Sequence, residues 1–179
     1  MRVLCPGSVA ELRDMLRWAV LEQDGPVAVR YPRGGDRGYS DSGWDGKKQI
    51  CTHREGTDVV LVVYGTMVQN ALDAAQLLEQ RGVHASVLRL LSVSPLPTKE
   101  LADMLPENTP VVVIEEACTG SGIQEALAWE LAQCKPSCWV KGMDLGKQFV
   151  PHGSLNMLYK HCGLDANAVA DYVQEVLNS

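Results

Sequence analysis

Two arginines carry the most pointed chemistry in this sequence. Arg30 and Arg33 lie in Gly25-Pro26-Val27-Ala28-Val29-Arg30-Tyr31-Pro32-Arg33-Gly34-Gly35, directly after a short apolar run. A strand of a parallel sheet delivers its carboxyl end to the crevice where such sheets bind ligands. The planar guanidinium fork donates two parallel hydrogen bonds and so suits phosphate, while Pro32 and Gly34 on either side of Arg33 set a tight exposed turn. Arg30 and Arg33 therefore read as substrate-binding groups of an anion site. Spacing alone equally allows two structural ion pairs across a domain boundary.

Other positions are less specific. Gly65-Thr66-Met67 follows a strand and opens a helix, where free backbone N–H groups can meet an anion. It lacks the further glycines of a dinucleotide fingerprint and the Gly-Lys-Ser/Thr ending of a P-loop, so a plain tight turn is the better reading. Glu115-Glu116, followed by Gly120-Ser121-Gly122, stands at a strand's carboxyl end, as a binding or catalytic pair or as the acidic charge that helix N-termini favour. Among four histidines, His152 in Phe149-Val150-Pro151-His152-Gly153 is the most site-like, although loop histidines more often satisfy local backbone. Cys134 and Cys138 are the nearest pair of six cysteines, but the second ligand pair of a structural zinc site is missing. Reduced, largely buried thiols are expected. No Ser/His/Asp order, Gly-x-Ser-x-Gly elbow or metal-binding His pair occurs. The expectation is that this chain holds no catalytic, cofactor-binding or metal-binding residue of its own.

The elements that must position these groups follow from the hydrophobic pattern. Ser8 and Glu11 make a capping-box start, and Leu12, Met15, Leu16, Ala19 and Val20 follow at helical spacing. With Val3-Leu4 before it and Val27-Ala28-Val29 after it, the leader is a strand, helix, strand unit. Three elements bury too little surface to stand alone, so the leader reads as the end of a domain whose remainder lies upstream. Five glycines among Asp, Ser and Tyr from Gly34 to Gly46 have linker composition. The predicted division is therefore residues 1–40 and 41–179.

Beyond the linker, strand and helix alternate. Strands are predicted at 49–52, 58–64, 84–90, 111–115 and 138–143, and helices at 68–78, 98–105, 122–134, 154–161 and 166–177. Val59 to Val63 is uninterrupted apolar sequence, as expected of a strand covered on both faces. Arg81-Gly82 supplies a helix C-cap. This alternation predicts an α/β fold with a doubly wound, mostly parallel sheet and right-handed crossovers.

Bulk numbers agree with that class. At 179 residues, 46% hydrophobic and 21% charged, the chain is long enough for one well-buried domain and part of another. A formal charge of −6 argues against a nucleic-acid surface, since phosphate backbones call for a basic face. No apolar run approaches the roughly 18–20 residues that span a bilayer. A soluble cytoplasmic protein, with small molecules or proteins as partners and neither nucleic acid nor membrane, is the expectation.

The stretch Gly25-Pro26 to Arg33-Gly34 resembles the Gly-Pro-x-Ala-x-Arg-Tyr-Pro-Arg-Gly segment of the 1-deoxy-D-xylulose-5-phosphate synthases, transketolase-type enzymes that depend on thiamine diphosphate. Further resemblances run in the same order: Pro6 and Glu11-Leu12, then Tyr64-Gly65-Thr66-Met67-Val68, Pro95-Leu96, Val113-Ile114-Glu115-Glu116, Phe149-Val150-Pro151-His152-Gly153 and Gly163-Leu164-Asp165. They cover nearly the whole chain. The resemblance implies that residues 1–40 end a pyrimidine-binding domain and that 41–179 form a transketolase C-terminal domain. It implies an enzyme that decarboxylates pyruvate and transfers two carbons to glyceraldehyde 3-phosphate, with Arg33 on the acceptor's phosphate.

It also implies thiamine diphosphate and Mg2+ in the full-length enzyme, a homodimer, and N-terminal and pyrimidine-binding parts beyond this chain. The Gly-Asp-Gly metal motif, the diphosphate ligands and the activating Glu belong to those parts, so the chain alone is expected to be inactive and to bind no cofactor. Leu91 and Pro97 depart from the family's usual Arg and Asp, and Thr119-Gly120-Ser121-Gly122 replaces its double-Gly turn. Alternatives are the corresponding section of a transketolase or of a 2-oxo acid dehydrogenase β-subunit, both disfavoured by Tyr-Pro-Arg-Gly, and a non-catalytic binding or assembly domain.

Overall fold

A computed structural model of the chain describes residues 1–32 and 43–179. In chain order its elements are β1 (Arg2–Leu4), α1 (Val9–Leu21), β2 (Val27–Val29), β3 (Ile50–Arg54), β4 (Val59–Tyr64), α2 (Met67–Gln80) and β5 (Ala85–Leu90). There follow β6 (Ser92–Ser94), α3 (Thr98–Met104), β7 (Pro110–Ile114), α4 (Gln124–Cys134), β8 (Trp139–Met143), α5 (Leu155–His161) and α6 (Ala166–Leu177).

The larger sheet has five strands in the order β3-β5-β4-β7-β8. Four of them run parallel, and β3 lies antiparallel against β5 at one edge. The alternation of side chains along β4 builds two cores. Val59, Leu61 and Val63 face α2 and α6, where Leu78, Val169 and Val173 are buried. Val60, Val62 and Tyr64 face α3 and α4, where Leu101, Leu127 and Leu131 are buried. With helices on both faces, a strand has no need of a polar side, which is why β4 and β7 read as continuous apolar runs.

Local signals set the ends of several elements. The Ser8 hydroxyl accepts the Glu11 N–H at 3.1 Å to open α1. Asp165 likewise accepts from Asn167 at 3.0 Å to open α6. Gly82, at φ +80, closes α2 in a left-handed turn in which the Val83 N–H reaches back to the Leu78 carbonyl at 2.9 Å.

The smaller sheet differs from the sequence reading. The expected leader pair, β1 parallel to β2, is present, but Ser92–Ser94 adds a third strand antiparallel to β1. Three residues with two serines are too short and too polar to signal a strand. Under this sheet lies a small cluster of Leu4, Met15 and Leu91, edged by the half-buried Trp18 and Trp44. Leu91, one of the departures noted above, is thus an apolar packing residue, and Pro97 stands at the start of α3. Among the described residues, no helix is long and apolar enough to cross a membrane.

Candidate functional site

In the five-stranded sheet, β5 lies on one side of β4 and β7 on the other, so the winding reverses between β4 and β7. Ligands of open parallel sheets bind outside the carboxyl ends of the strands at such a switch point. Tyr64 ends β4 there, and Glu115-Glu116 follow β7. Facing them is the leader: β2 ends at Val29, and the Arg30 N–H bonds the Leu4 carbonyl at 2.8 Å, extending the parallel pairing by one residue. Between the two parts lies a cavity of about 180 Å³ lined by Cys5, Arg30, Tyr31, Pro32, Tyr64, Thr66 and Glu116, among others.

Arg30 spans the gap. Its Nη1 donates to the Tyr64 hydroxyl at 2.9 Å and its Nη2 to the Glu116 carbonyl at 2.8 Å. Its guanidinium carbon also lies 5.0 Å from the Tyr64 ring centroid, within cation–π range. The Tyr64 hydroxyl donates a hydrogen bond to Glu115 Oε2 at 2.9 Å. That carboxylate in turn accepts the Ile123 N–H at 2.8 Å and, less closely, the Gln124 N–H at 3.3 Å. Glu115 is only 2% exposed and therefore serves as an internal anchor for the N-terminus of α4. Gly122 is required beside it, because a Cβ there would lie 2.2 Å from the carboxylate. The neighbouring Glu116 side chain accepts the Tyr159 hydroxyl at 2.7 Å.

Charge states follow from this setting. Burial pushes the Tyr64 phenol far above its ordinary value, with Glu115 adding to the shift and Arg30 opposing it. Tyr64 is thus a neutral hydroxyl throughout the physiological range. Burial works against the charge on Arg30, but Tyr64, Cys5 and Glu116 outweigh it, and the guanidinium is held above its ordinary range. Burial also pushes the Cys5 thiol up to about 11, against the pull of Arg30 and Arg89. The cavity therefore presents the Arg30 guanidinium, a phenol and a protonated thiol, with the Glu116 side chain turned to the Tyr159 hydroxyl beside them.

The structure gathers some of the residues singled out in the sequence and leaves others apart. Arg30 and Gly65-Thr66-Met67 line the same cavity, with Gly65 at φ +58 making the turn and Thr66 opening α2 without a side-chain cap. Arg33 lies outside the described residues. His152 is exposed and does not line the cavity. The Cys134 and Cys138 thiols each meet a backbone carbonyl, of Glu130 and Pro106 respectively.

Two features were missed from sequence. One is the role of Tyr64, which in sequence is a strand end and the start of a resembling stretch, although a tyrosine closing a buried strand needs a partner for its hydroxyl. The second is a buried ion pair between the leader and the large sheet. Arg89 on β5, 0% exposed, makes a bidentate contact with Glu11 of α1 at 2.7 and 2.8 Å, and its Nε donates to His53 Nε2 at 3.2 Å. Glu11 also accepts the Gly7 N–H at 2.7 Å, so its cap-like spacing concealed a second task.

Among the described residues, no three His, Cys, Asp or Glu side chains come together to hold a metal ion. The cavity is also smaller than the roughly 300–1,000 Å³ of small-molecule sites. These residues do not by themselves fit thiamine diphosphate with its metal.

Residues 48–169 match the family model described as the transketolase C-terminal domain. Curated relatives include the 1-deoxy-D-xylulose-5-phosphate synthase of Chlorobium luteolum, 35% identical over 97% of this chain and 28% of that protein. The enzyme of the same name from Gloeothece citriformis is 34% identical over 99% of this chain and 28% of its own. The chain thus spans little more than a quarter of the length of these relatives. Among solved structures, a split-gene transketolase in an inactive β4 tetramer superposes with a TM-score of 0.80 at 29% identity, over 99% of this chain and 57% of its own. A transketolase from Pichia stipitis shares the fold at 18% identity, with a TM-score of 0.75, over 99% of this chain and 25% of its own.

Proposed function

This chain belongs to the transketolase C-terminal domain family, and we propose that it is the C-terminal part of a 1-deoxy-D-xylulose-5-phosphate synthase. The reaction would condense pyruvate with glyceraldehyde 3-phosphate, feeding isoprenoid precursor synthesis. The observation that carries this reading is the placement of Arg30-Tyr31-Pro32 against the carboxyl ends of β4 and β7, in a chain whose 1-deoxy-D-xylulose-5-phosphate synthase relatives match over almost its full length. In this reading residues 1–40 complete a pyrimidine-binding domain, and residues 41–179 form the C-terminal domain. Thiamine diphosphate and Mg2+ would be held by N-terminal and pyrimidine-binding parts outside this chain, in a homodimeric cytoplasmic enzyme. The chain alone would be inactive.

The contribution of this chain's own residues is to bind and orient. Arg33 would meet the acceptor's phosphate in a charge-assisted contact, and Arg30 would add a second positive charge to the same wall. Binding energy from a phosphate remote from the aldehyde carbon serves to hold that carbon in a reactive orientation. Replacing Arg33 with Ala in the intact enzyme should raise KM for glyceraldehyde 3-phosphate and leave KM for pyruvate nearly unchanged. A hydrogen bond to a charged group contributes about 1.5–3 kcal/mol, so the rise should be roughly tenfold or more. An equal rise for both substrates would refute the assignment.

A transketolase is the second reading, favoured by the superposition on the split-gene enzyme. Donor choice separates the two, since a transketolase draws its two carbons from a ketose phosphate and the proposed enzyme from pyruvate.

A further inference from the structure

The path from Arg30 through Tyr64 to Glu115 and the first turn of α4 gives the large sheet a part in substrate recognition. We infer that Tyr64 and Glu115 are positioning residues, which fix the direction of the Arg30 side chain and so the charge it presents to an anionic acceptor. The inference rests on the proposed phosphate-binding role of the Arg30–Arg33 stretch.

The direction of one proton sets the arrangement. A phenol hydroxyl donates once and accepts through its lone pairs. Glu115 is buried and anchored by two backbone N–H groups, so its oxygens only accept, and the Tyr64 proton is drawn onto Oε2. The hydroxyl's lone pairs then face the leader, and Arg30 Nη1 donates to them at 2.9 Å. The second contact, from Nη2 to the Glu116 carbonyl, comes from the segment that immediately follows β7. Two points of attachment and the ring face beneath hold a long side chain that is otherwise exposed and costly to order. Neither end of the clamp is offered by the leader itself: both belong to the ends of β4 and β7.

Tyr64→Phe keeps the ring and removes only the hydroxyl. In the intact enzyme it should raise KM for glyceraldehyde 3-phosphate about tenfold, with kcat and KM for pyruvate close to the parent's. With unphosphorylated glyceraldehyde as acceptor the same substitution should change KM less than twofold, which a general loss of stability would not reproduce. Arg30→Ala and Arg33→Ala, assayed in parallel, separate the two ideas. If they raise the phosphorylated acceptor's KM while Tyr64→Phe does not, the positioning role is wrong and the binding site stands. If none of the three discriminates between the two acceptors, the binding site itself is refuted. A second readout needs no turnover: in NMR of the intact enzyme, the Arg30 guanidinium protons should exchange slowly with solvent in the parent and at least tenfold faster in Tyr64→Phe. Equal exchange in both would overturn the clamp.

Discussion

The five-stranded sheet and the leader are held by different means. The sheet is closed between two apolar cores, one under α2 and α6 and one under α3 and α4, and its strands need no polar contact to specify them. The leader contributes only Leu4 and Met15 to a three-residue cluster completed by Leu91, and besides the β1–β6 pairing it is fastened by charge: Glu11 to Arg89 inside, and Arg30 to Tyr64 and Glu116 at the cavity. Apolar burial is insensitive to direction, whereas a bidentate ion pair fixes register and angle. The sheet is built for stability and the leader's seat for orientation, which suits the substrate-binding role proposed for its arginines.

The largest effect should come from breaking the inner fastening. Arg89→Leu leaves the Glu11 carboxylate buried without its partner, a loss of about 3–5 kcal/mol, measurable by urea unfolding. Replacing both partners with Leu should restore most of it; if the double variant is no better than the single, the charge is not what the site depends on. Next, Leu78→Ala between α2 and the sheet should cost about 2–5 kcal/mol, whereas Leu4→Ala in the leader should fall at the low end of that range, because half-buried Trp18 and Trp44 can close in. Equal losses at the two leucines would remove the contrast between the regions. A smaller effect, about 1–3 kcal/mol, is expected for Gly122→Ala, which pushes against the Glu115 carboxylate and loosens α4 together with the Tyr64 contact.

The smallest effect is a pH dependence at the seam. Cys5 rises from 9.0 to about 11 on folding, chiefly through burial, so between these values the unfolded chain has lost a proton that the folded chain keeps. The folded state's advantage is complete below pH 9 and shrinks as pH climbs toward 11. Alkaline unfolding should show this slope, and Cys5→Ala should flatten it. At neutral pH a thiol reagent should modify the exposed Cys118 and Cys134 long before the buried Cys5. Rapid labelling of Cys5 would mean that the leader does not stay seated.

Much of this architecture was legible in the sequence. The apolar run from Val59 to Val63, the Gly82 cap and the helical pattern over 166–177 each announced the element that contains them, since local pattern and tertiary role agree there. The seat of the leader was not legible. Arg89 interrupts an apolar strand, and nothing local states that its partner is Glu11, 78 residues away, whose spacing from Ser8 already had a helix-capping explanation. Long-range polar pairs leave no periodicity, and β6 was too short to leave one. For the site, the sequence pointed to Arg30 and the two ends of β4 and β7, but not to Tyr64 as the link, because a tyrosine at a strand end looks like any other half-polar residue. Arg33 lies outside the described residues, and its role stands as a proposal.

Steady-state turnover by the intact enzyme, assayed with pyruvate and glyceraldehyde 3-phosphate for parent and Arg33→Ala, decides whether this chain serves a synthase that uses pyruvate and holds its acceptor through Arg33. Carbon dioxide should be released from pyruvate in an acceptor-dependent reaction, and the substitution should raise KM for the phosphorylated aldehyde about tenfold or more. Transfer from a ketose phosphate with no consumption of pyruvate, or an unchanged acceptor KM in Arg33→Ala, would contradict this reading.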